Sequence, residues 1–499
     1  MTDQNATRDW HALATALRPR TGLFIDGAWR EALSGEHFDC LSPVDGRLLA
    51  RVSAGDAADI DAAVISARRA FERGDWSRAA PRHRKQVLLR FADLLREHQE
   101  ELALTETLDV GKPISDSLSV DIPSAANCIQ WYGEAVDKVY DEVAPTGQDS
   151  LALITREAQG VIGAIVPWNF PLIMAAWKIG PVLAAGNSLV LKPSEKSPLS
   201  ALRVAELALQ AGIPPGVFNV IPGYGTTAGK ALALHPDVDG IAFTGSTATG
   251  KLIMGYAAQS NLKRVSLECG GKSPNIIMAD YRDIDRAARA SAFAIFFNQG
   301  EMCSAGSRLI VHESLKDAVL EQVARVAREL HPGDPLDAGT RLGAIVDAPQ
   351  MQRVLGYIDA GREDGARLAL GGKRVRVATG GYYVEPTVFD AVRPEMRIAR
   401  EEIFGPVLST LTFRTEEEAL RMANDSSYGL AAAVWTQDLK AAHRISRALR
   451  AGVVYVNCYD ADDITVPFGG YKQSGMGRDK SLHAFDKYTE LKTTWIDLS

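Results

Sequence analysis

The sequence is short of cysteine. Its five, Cys40, Cys128, Cys269, Cys303 and Cys458, are odd in number, scattered and without a CxxC pair. That pattern excludes a disulfide framework and gives no zinc or other metal site, and it fits a reducing compartment. Long apolar runs are lacking as well. A membrane span needs about 18 uninterrupted apolar residues, and the nearest candidate, 174–185, is broken by Lys178, Gly180 and Pro181. The opening MTDQNATRDWHALA is polar and acidic where a signal peptide would start basic and turn apolar, so a cytoplasmic location is expected. Nor is there a basic tract stronger than RHRK at 82–85, and the formal net charge is −7. A nucleic-acid surface and a membrane surface are therefore not expected, and the partner should be a small molecule.

At 499 residues the chain exceeds the roughly 250–300 at which single cores stop growing, so at least two domains are expected. Residues 21–52 alternate short apolar runs with turns, as small strands do. From Asp56 the positions Ile60, Val64, Ala67 and Phe71 keep helical spacing. Leu88, Phe91, Leu95 and Leu102 predict a longer, charged helix that ends before Gly111. The middle third changes character. Strand-like runs at 161–166, 188–192, 217–221, 240–244 and 264–268 alternate with helical patterns and are apolar on both faces, which predicts a parallel sheet covered by helices on both sides.

Ligands bind at the carboxyl ends of such strands, and the residues there are polar. The first run leads into Pro167-Trp168-Asn169-Phe170-Pro171 and the second into Lys192-Pro193-Ser194-Glu195. A lysine can hydrogen-bond ribose or phosphate oxygens, and a carboxylate at Glu195 can accept from a ribose 2′-OH while repelling a 2′-phosphate. NAD is thus favoured, with NADP the weaker alternative. After the third run, Gly223-Tyr224-Gly225 with Gly229 approaches GxGxxG without matching it. The fourth runs into FTGSTATG (243–250) and a helix whose first N–H groups would suit a pyrophosphate. The fifth closes on Glu268 before Gly270-Gly271, where a carboxylate could act as a general base.

A second strand-rich region, from Asn275 to about Asn457, carries FFNQGEMCSAGSR (296–308). Any lone cysteine can be a small buried hydrophobe. Around Cys303, however, Gly300, Ser304, Ala305 and Gly306 leave room for a reactive carbon and for backbone donors, as a nucleophile needs. The closing KYTELKTTWIDL alternates like a strand and could pair with the strand-like stretch 152–158 or with a partner chain.

Taken in order, PWNFP, KPSE, FTGSTATG, LECGGKSP, FFNQGEMCSAGSR, EEIFGP and PFGGYKQSG make the sequence resemble the NAD(P)-dependent aldehyde dehydrogenases from about residue 20 onward. The resemblance implies an α/β fold of three parts. These are a Rossmann-like parallel-sheet cofactor domain over 1–268, interrupted by a bridging strand segment at about 140–158; an α/β catalytic domain over 269–470; and a return to the cofactor domain with an oligomerisation strand over 471–499. A homo-oligomer, dimer or dimer of dimers, goes with it. Cys303 matches the nucleophile, Asn169 with the Cys303 N–H the oxyanion donors, and Glu268 the base that hydrolyses the thioester. Its carboxylate implies a free acid rather than acyl transfer to coenzyme A.

Cofactor contacts implied by the resemblance are Val166, Trp168, Lys192, Glu195, Gly225, Gly229, Phe243, Gly245, Ser246, Glu402 and Phe404. Glu490, Arg264 and Arg478 match a structural charge link. Tunnel positions are Phe170, Met174, Trp177, Phe297, Met302 and Phe468. Asp121, Asp460, Asp462 and Asp463 are placed toward the mouth, where carboxylates beside aromatic rings would suit an ammonium or guanidinium group. The ending ITVPFGGYKQSGMGRDKSLHAFDKYTELKT resembles the branch acting on ω-aminoaldehydes of polyamine breakdown, including γ-glutamyl-γ-aminobutyraldehyde. Ser124 stands where some of those specialists use an acid, and Cys458 is placed beside the tunnel. A broad-range aliphatic or betaine-type dehydrogenase shares every catalytic residue. A non-catalytic protein on the same fold would have lost Cys303, Glu268 or Asn169.

Overall fold

Four runs that bury every residue have to lie inside a sheet, and in the computed structural model, which describes residues 8–499, they do, joined by a fifth, Arg264–Glu268, that is buried at its carboxyl end. Val161–Ile165, Ser188–Lys192, Phe218–Val220, Gly240–Thr244 and Arg264–Glu268 run parallel. The two short strands Leu23–Ile25 and Ala28–Arg30 extend one edge, and Gly475–Met476 extends the other. Alternate side chains enter separate cores: Ile162, Ala164, Leu189 and Leu191 join one, while Val161, Ile165, Val190 and Phe243 join the other. Val161–Ile165 lies between Ser188–Lys192 and Gly240–Thr244, so successive crossovers leave it in opposite directions. That switch point opens a crevice at the carboxyl ends of the strands.

The helix Ala57–Arg73 is set by a capping box between Asp56 and Asp59 and ends at Gly74, whose φ of 87° is the left-handed stop. The single helix expected over the next stretch is two, Pro81–Glu97 and Gln99–Val110, broken at His98. The first keeps an exposed face. The second is buried at every residue from Leu102 to Val110, so the chain has to turn inward at His98 instead of continuing along the surface.

The second region forms a seven-stranded sheet in the order Arg367–Leu370, Thr387–Asp390, Val407–Phe413, Arg308–His312, Pro274–Ile277, Ala431–Trp435 and Val453–Val456. All neighbours are parallel except the first pair. A third, three-stranded antiparallel sheet joins Glu142–Ala144, Ser150–Ala158 and Thr489–Asp497. The last two pair over their whole length, from Thr489 opposite Ala158 to Asp497 opposite Ser150. The terminal strand thus pairs within its own chain. Among the described residues no helix is long and apolar enough to cross a membrane.

Candidate active site

The helix Ile284–Phe296 stops short of Cys303, and the chain then makes three consecutive left-handed residues, Asn298 (φ 47°), Gln299 (φ 56°) and Gly300 (φ 72°). For the two with side chains this conformation costs roughly 1–2 kcal/mol each. Hydrogen bonds hold it. Asn298 Nδ2 donates to the carbonyls of Asn169 (3.0 Å) and Glu301 (3.2 Å), and Gln299 Oε1 accepts from the Gly343 N–H (2.9 Å). Glu301 Oε1 in turn accepts from Val346 N–H at 3.1 Å. The turn delivers Cys303 to the inner end of a cavity.

The buried Asn169 side chain donates through Nδ2 to Glu301 O at 2.8 Å. An amide nitrogen carries two hydrogens, so one remains free to donate elsewhere. Glu268 ends its strand opposite Gly475, and the Cys269 N–H donates to Ser474 O, so the returning segment fixes this strand end. Glu268 is almost wholly buried and its Oε1 has no partner. Burial, reinforced by Asp479 and opposed by Lys178, Lys487 and Arg478, pushes its carboxyl up to about 8. Burial pushes the Cys303 thiol well above its ordinary value. The negative charges of Glu268, Glu402 and Asp460 add to this, and the Ser304 N–H opposes it. Nucleophile and carboxylates therefore share one electrostatic neighbourhood.

The glycine pair after Glu268 makes this convergence possible. A Cβ on Gly271 would lie 2.5 Å from the Cys303 carbonyl oxygen, and one on Gly270 would collide with the Glu402 carboxylate. Gly271 N–H donates to Glu402 Oε1 at 3.0 Å. Burial pushes Glu402 up to about 7 against that bond, Lys272 and Arg353. Phe404 sits at φ 60°, its carbonyl held by Gln350 Nε2 at 2.7 Å, and its ring meets Trp168 edge-on at 5.3 Å.

Around the crevice, Lys192 is buried with Nζ 3.2 Å from Glu195 Oε2, and its carbonyl accepts from Val166 N–H. Gly229 faces the Lys192 stem at van der Waals distance, and nothing crowds Gly225. Ser246 caps the helix Thr247–Gln259 by accepting from Thr249 N–H, while Gly245 leaves the space that the Phe243 ring needs, 2.5 Å from where a Cβ would stand. The buried Thr244 hydroxyl has no partner. A buried lysine paired with a half-buried glutamate, a helix N-terminus and an orphaned hydroxyl at the switch point fit a dinucleotide. Among the described residues no cluster of His, Cys, Asp or Glu could hold a metal ion.

The cavity encloses about 700 Å³, and Phe170, Met174, Trp177, Phe297, Met302, Cys303 and Phe468 line it. Phe293, Phe297 and Phe170 form a stacked tier, with ring centroids 4.9 and 6.3 Å apart, and Trp177 and Phe468 meet at 5.2 Å. The rim departs from the acidic mouth expected. Asp121 is not there: it is fully buried and paired with Lys112 at 2.9 Å, because the helix turn at Ser117–Asp121 points it inward. Asp116 lines the cavity in its place, pushed up to about 6 by burial and by Asp121. Asp462 is neutralised by Lys480, Asp460 accepts from Ser304 Oγ at 3.1 Å, and Asp463 caps its own turn at Thr465. Arg289, Arg341 and Lys480 also line the cavity, so three cations face four carboxylates. Ser124 is on the wall, whereas Cys458 packs in a separate small core. Arg264 pairs with Glu490, and Arg478 instead donates to the Gly470 and Gly477 carbonyls.

A model of the aldehyde dehydrogenase family matches residues 29–494. The chain belongs to the aldehyde dehydrogenase family. It is 54% identical over 489 residues to the NADP/NAD-dependent aldehyde dehydrogenase PuuC of Escherichia coli, covering 98% of each chain. Among solved structures, the P. syringae indole-3-acetaldehyde dehydrogenase in complex with NAD+ and IAA is 63% identical, with a TM-score of 0.98 over 98% of this chain and 99% of that one. The γ-glutamyl-γ-aminobutyraldehyde dehydrogenase of Burkholderia cenocepacia is 62% identical, with a TM-score of 0.97 over the same shares. Within this dehydrogenase, sequence reasoning missed Asn298, Gln299 and Glu301, which hold the nucleophile loop. The signal was present in the amide pair before Gly300, since asparagine is enriched in the left-handed region. Asp116, Arg289 and Arg341 had no such signal, because their place on the wall depends on elements distant in sequence.

Proposed function

We propose that this dehydrogenase is a cytoplasmic homo-oligomer that oxidises an ω-amino-, guanidino- or γ-glutamylamino-butyraldehyde to the free carboxylic acid with NAD. One observation supports it above the others: a buried carboxylate with an unpartnered oxygen, Glu268, acts electrostatically on Cys303, which lines the cavity. In this reading the Cys303 thiolate attacks the aldehyde carbon and forms a thiohemiacetal. Its oxyanion receives hydrogen bonds from Asn169 Nδ2 and the Cys303 N–H, and one such donor is worth roughly 3–4 kcal/mol. The bound nicotinamide supplies the acceptor for the carbonyl hydride. Loss of that hydride leaves a thioester on Cys303. Glu268 takes a proton from water, which adds to the thioester, and the Cys303 thiolate departs from the carboxylic acid.

Lys192 and Glu195 are assigned to the adenosine ribose, Ser246 and Gly245 to the pyrophosphate, and Glu402 and Phe404 to the nicotinamide ribose. The 1–268, 269–470 and 471–499 division belongs to the same reading. Support for a nitrogen-bearing substrate comes from the similarity to the γ-glutamyl-γ-aminobutyraldehyde enzyme. The Phe293, Phe297 and Phe170 tier favours a second reading, an arylacetaldehyde, in line with the indole-3-acetaldehyde enzyme.

NADH formation with aminoaldehydes, γ-glutamylaminobutyraldehyde, phenylacetaldehyde and plain alkyl aldehydes separates the two. A preference of tenfold or more in kcat/KM for the nitrogen-bearing group, about 1.4 kcal/mol, supports the first. Preference for the aryl substrate establishes the second, and a flat profile makes the enzyme broad-range. Cys303→Ala should form no NADH while still binding NAD.

A further inference from the structure

Behind the cavity wall lies a buried charge cluster that the reaction does not use. Lys112 and Asp121 pair at 2.9 Å, both about 1% exposed, and Glu106 is wholly buried beside them. None of the three lines the cavity. Glu106 and Lys112 touch the corner that carries Asn169, and Asp121 reaches it only through Lys112. The helix Pro171–Ala184 starts directly after Phe170, and a phenylalanine at that position offers its first N–H groups no side-chain cap. Glu106 does this from another helix, its Oε1 accepting from Leu172 N–H at 3.1 Å. The Lys112 ammonium lies 4.2 Å from the centre of the Phe170 ring, which stacks on Phe297 in the cavity wall. Glu106 Oε2 and Asp121 Oδ1 have no partners, so the cluster keeps two carboxyl groups around one ammonium at the cost of unsatisfied oxygens.

We propose that Glu106 and Lys112 are positioning residues for aldehyde oxidation. Glu106 fixes the start of the helix that places Asn169 over the nucleophile, and Lys112 fixes the Phe170 ring that bounds the substrate. The proposal rests on the aldehyde dehydrogenase reading of Cys303 and Asn169. Two features support it. Asn169 is held on its other side by Asn298 and Glu301, so its amide is set from both directions and movement of the helix start changes its aim. Burial and the Asp121 charge also push Glu106 up to about 8, so at neutral pH it acts as a neutral hydrogen-bonding group. A glutamine of the same shape can therefore replace it.

The test compares Glu106→Gln, Glu106→Asp and the charge-neutral pair Lys112→Met with Asp121→Asn, with rates normalised to the NAD-binding fraction so that loss of folded protein does not count. Glu106→Asp keeps the carboxyl but withdraws it by one methylene. It should lower kcat about tenfold or more with every aldehyde, as a small misplacement of a reacting group does, with KM for NAD unchanged. Glu106→Gln should keep kcat within about threefold. The Lys112/Asp121 pair should raise KM for phenylacetaldehyde more than for propanal, with little change in kcat. A purely structural role would lower Tm and leave these normalised constants alone, which would overturn the proposal, as would equal losses in the Gln and Asp variants. Wild-type turnover of any aldehyde upholds the dehydrogenase reading independently, so that the variants alone decide the positioning role.

Discussion

Glu268 has two properties in conflict: its burial favours the protonated carboxyl, and the base role proposed for it requires the carboxylate. With its carboxyl pushed up to about 8, the active fraction grows as pH rises from neutrality. The hydrolytic step should therefore accelerate through a limb centred near pH 8. Single-turnover release of acid from a preformed thioester measures that limb directly. Glu268→Gln should remove it and slow hydrolysis by about 10²–10⁴, the usual contribution of a positioned base. Stability moves the other way. A carboxyl whose folded value is raised binds its proton more tightly when folded, so its contribution is complete below about 4.5 and is lost as pH rises through about 8. Glu268→Gln does not suffer this loss. Its Tm relative to wild type should rise between pH 6 and pH 9, and a constant difference would contradict the raised value. Cys303 and Glu268 were legible as residues because each ends an apolar run or sits among small neighbours. Asp121 was misplaced for the opposite reason: its sequence neighbours are ordinary, and only the turn at Ser117–Asp121 decides which way it points.

Elements show where local pattern is sufficient and where it fails. Four of the five parallel strands were readable because burial on both faces leaves no polar alternation, and each of the five falls within a residue of its expected bounds. The break at His98 was not readable, since both flanking stretches keep helical spacing and only the burial of Leu102–Val110 forces the turn. The glycine pair lies between these cases. The sequence marked it only as the stretch following Glu268, and its purpose is packing: Gly271 admits the Cys303 carbonyl and Gly270 the Glu402 carboxylate. Neither has a positive φ, so alanine is conformationally allowed at both and its effect reports contact alone. Gly271→Ala meets backbone, which cannot rotate away, and should lower kcat by about tenfold or more while leaving NAD affinity intact. Gly270→Ala meets the end of a flexible side chain and displaces Glu402. Its expected signature is a higher KM for NAD with a smaller fall in kcat. Steady-state constants for the two variants, varied separately in aldehyde and NAD, distinguish them, and identical profiles would show that the pair acts only through folding.

The whole molecule leaves one sheet unfinished. The strand Thr489–Asp497 stands at the edge of its three-stranded sheet, paired on one side only, and Leu491, Trp495, Ile496 and Leu498 are more than a third exposed along it. An open edge with apolar side chains is an aggregation hazard unless something covers it. The strand is neither shortened nor interrupted by proline, and although Glu490, Lys492 and Asp497 charge it, its apolar side chains remain exposed, so a second chain is the occupant that fits the proposed homo-oligomer. Ser150–Ala158 already fills its inner side over nine register pairs, so a partner has to add at the outer side or lie against the exposed face. Trp495, at 64% exposure, offers the largest surface for either arrangement. Trp495→Glu leaves the intrachain pairing in place and puts a charge where the partner would lie. It should shift the assembly to a smaller species in sedimentation velocity at micromolar concentration. Because no residue of the strand lines the cavity that holds Cys303, kcat per chain should stay near the wild-type value. An unchanged sedimentation coefficient would mean that this edge is not an interface between chains.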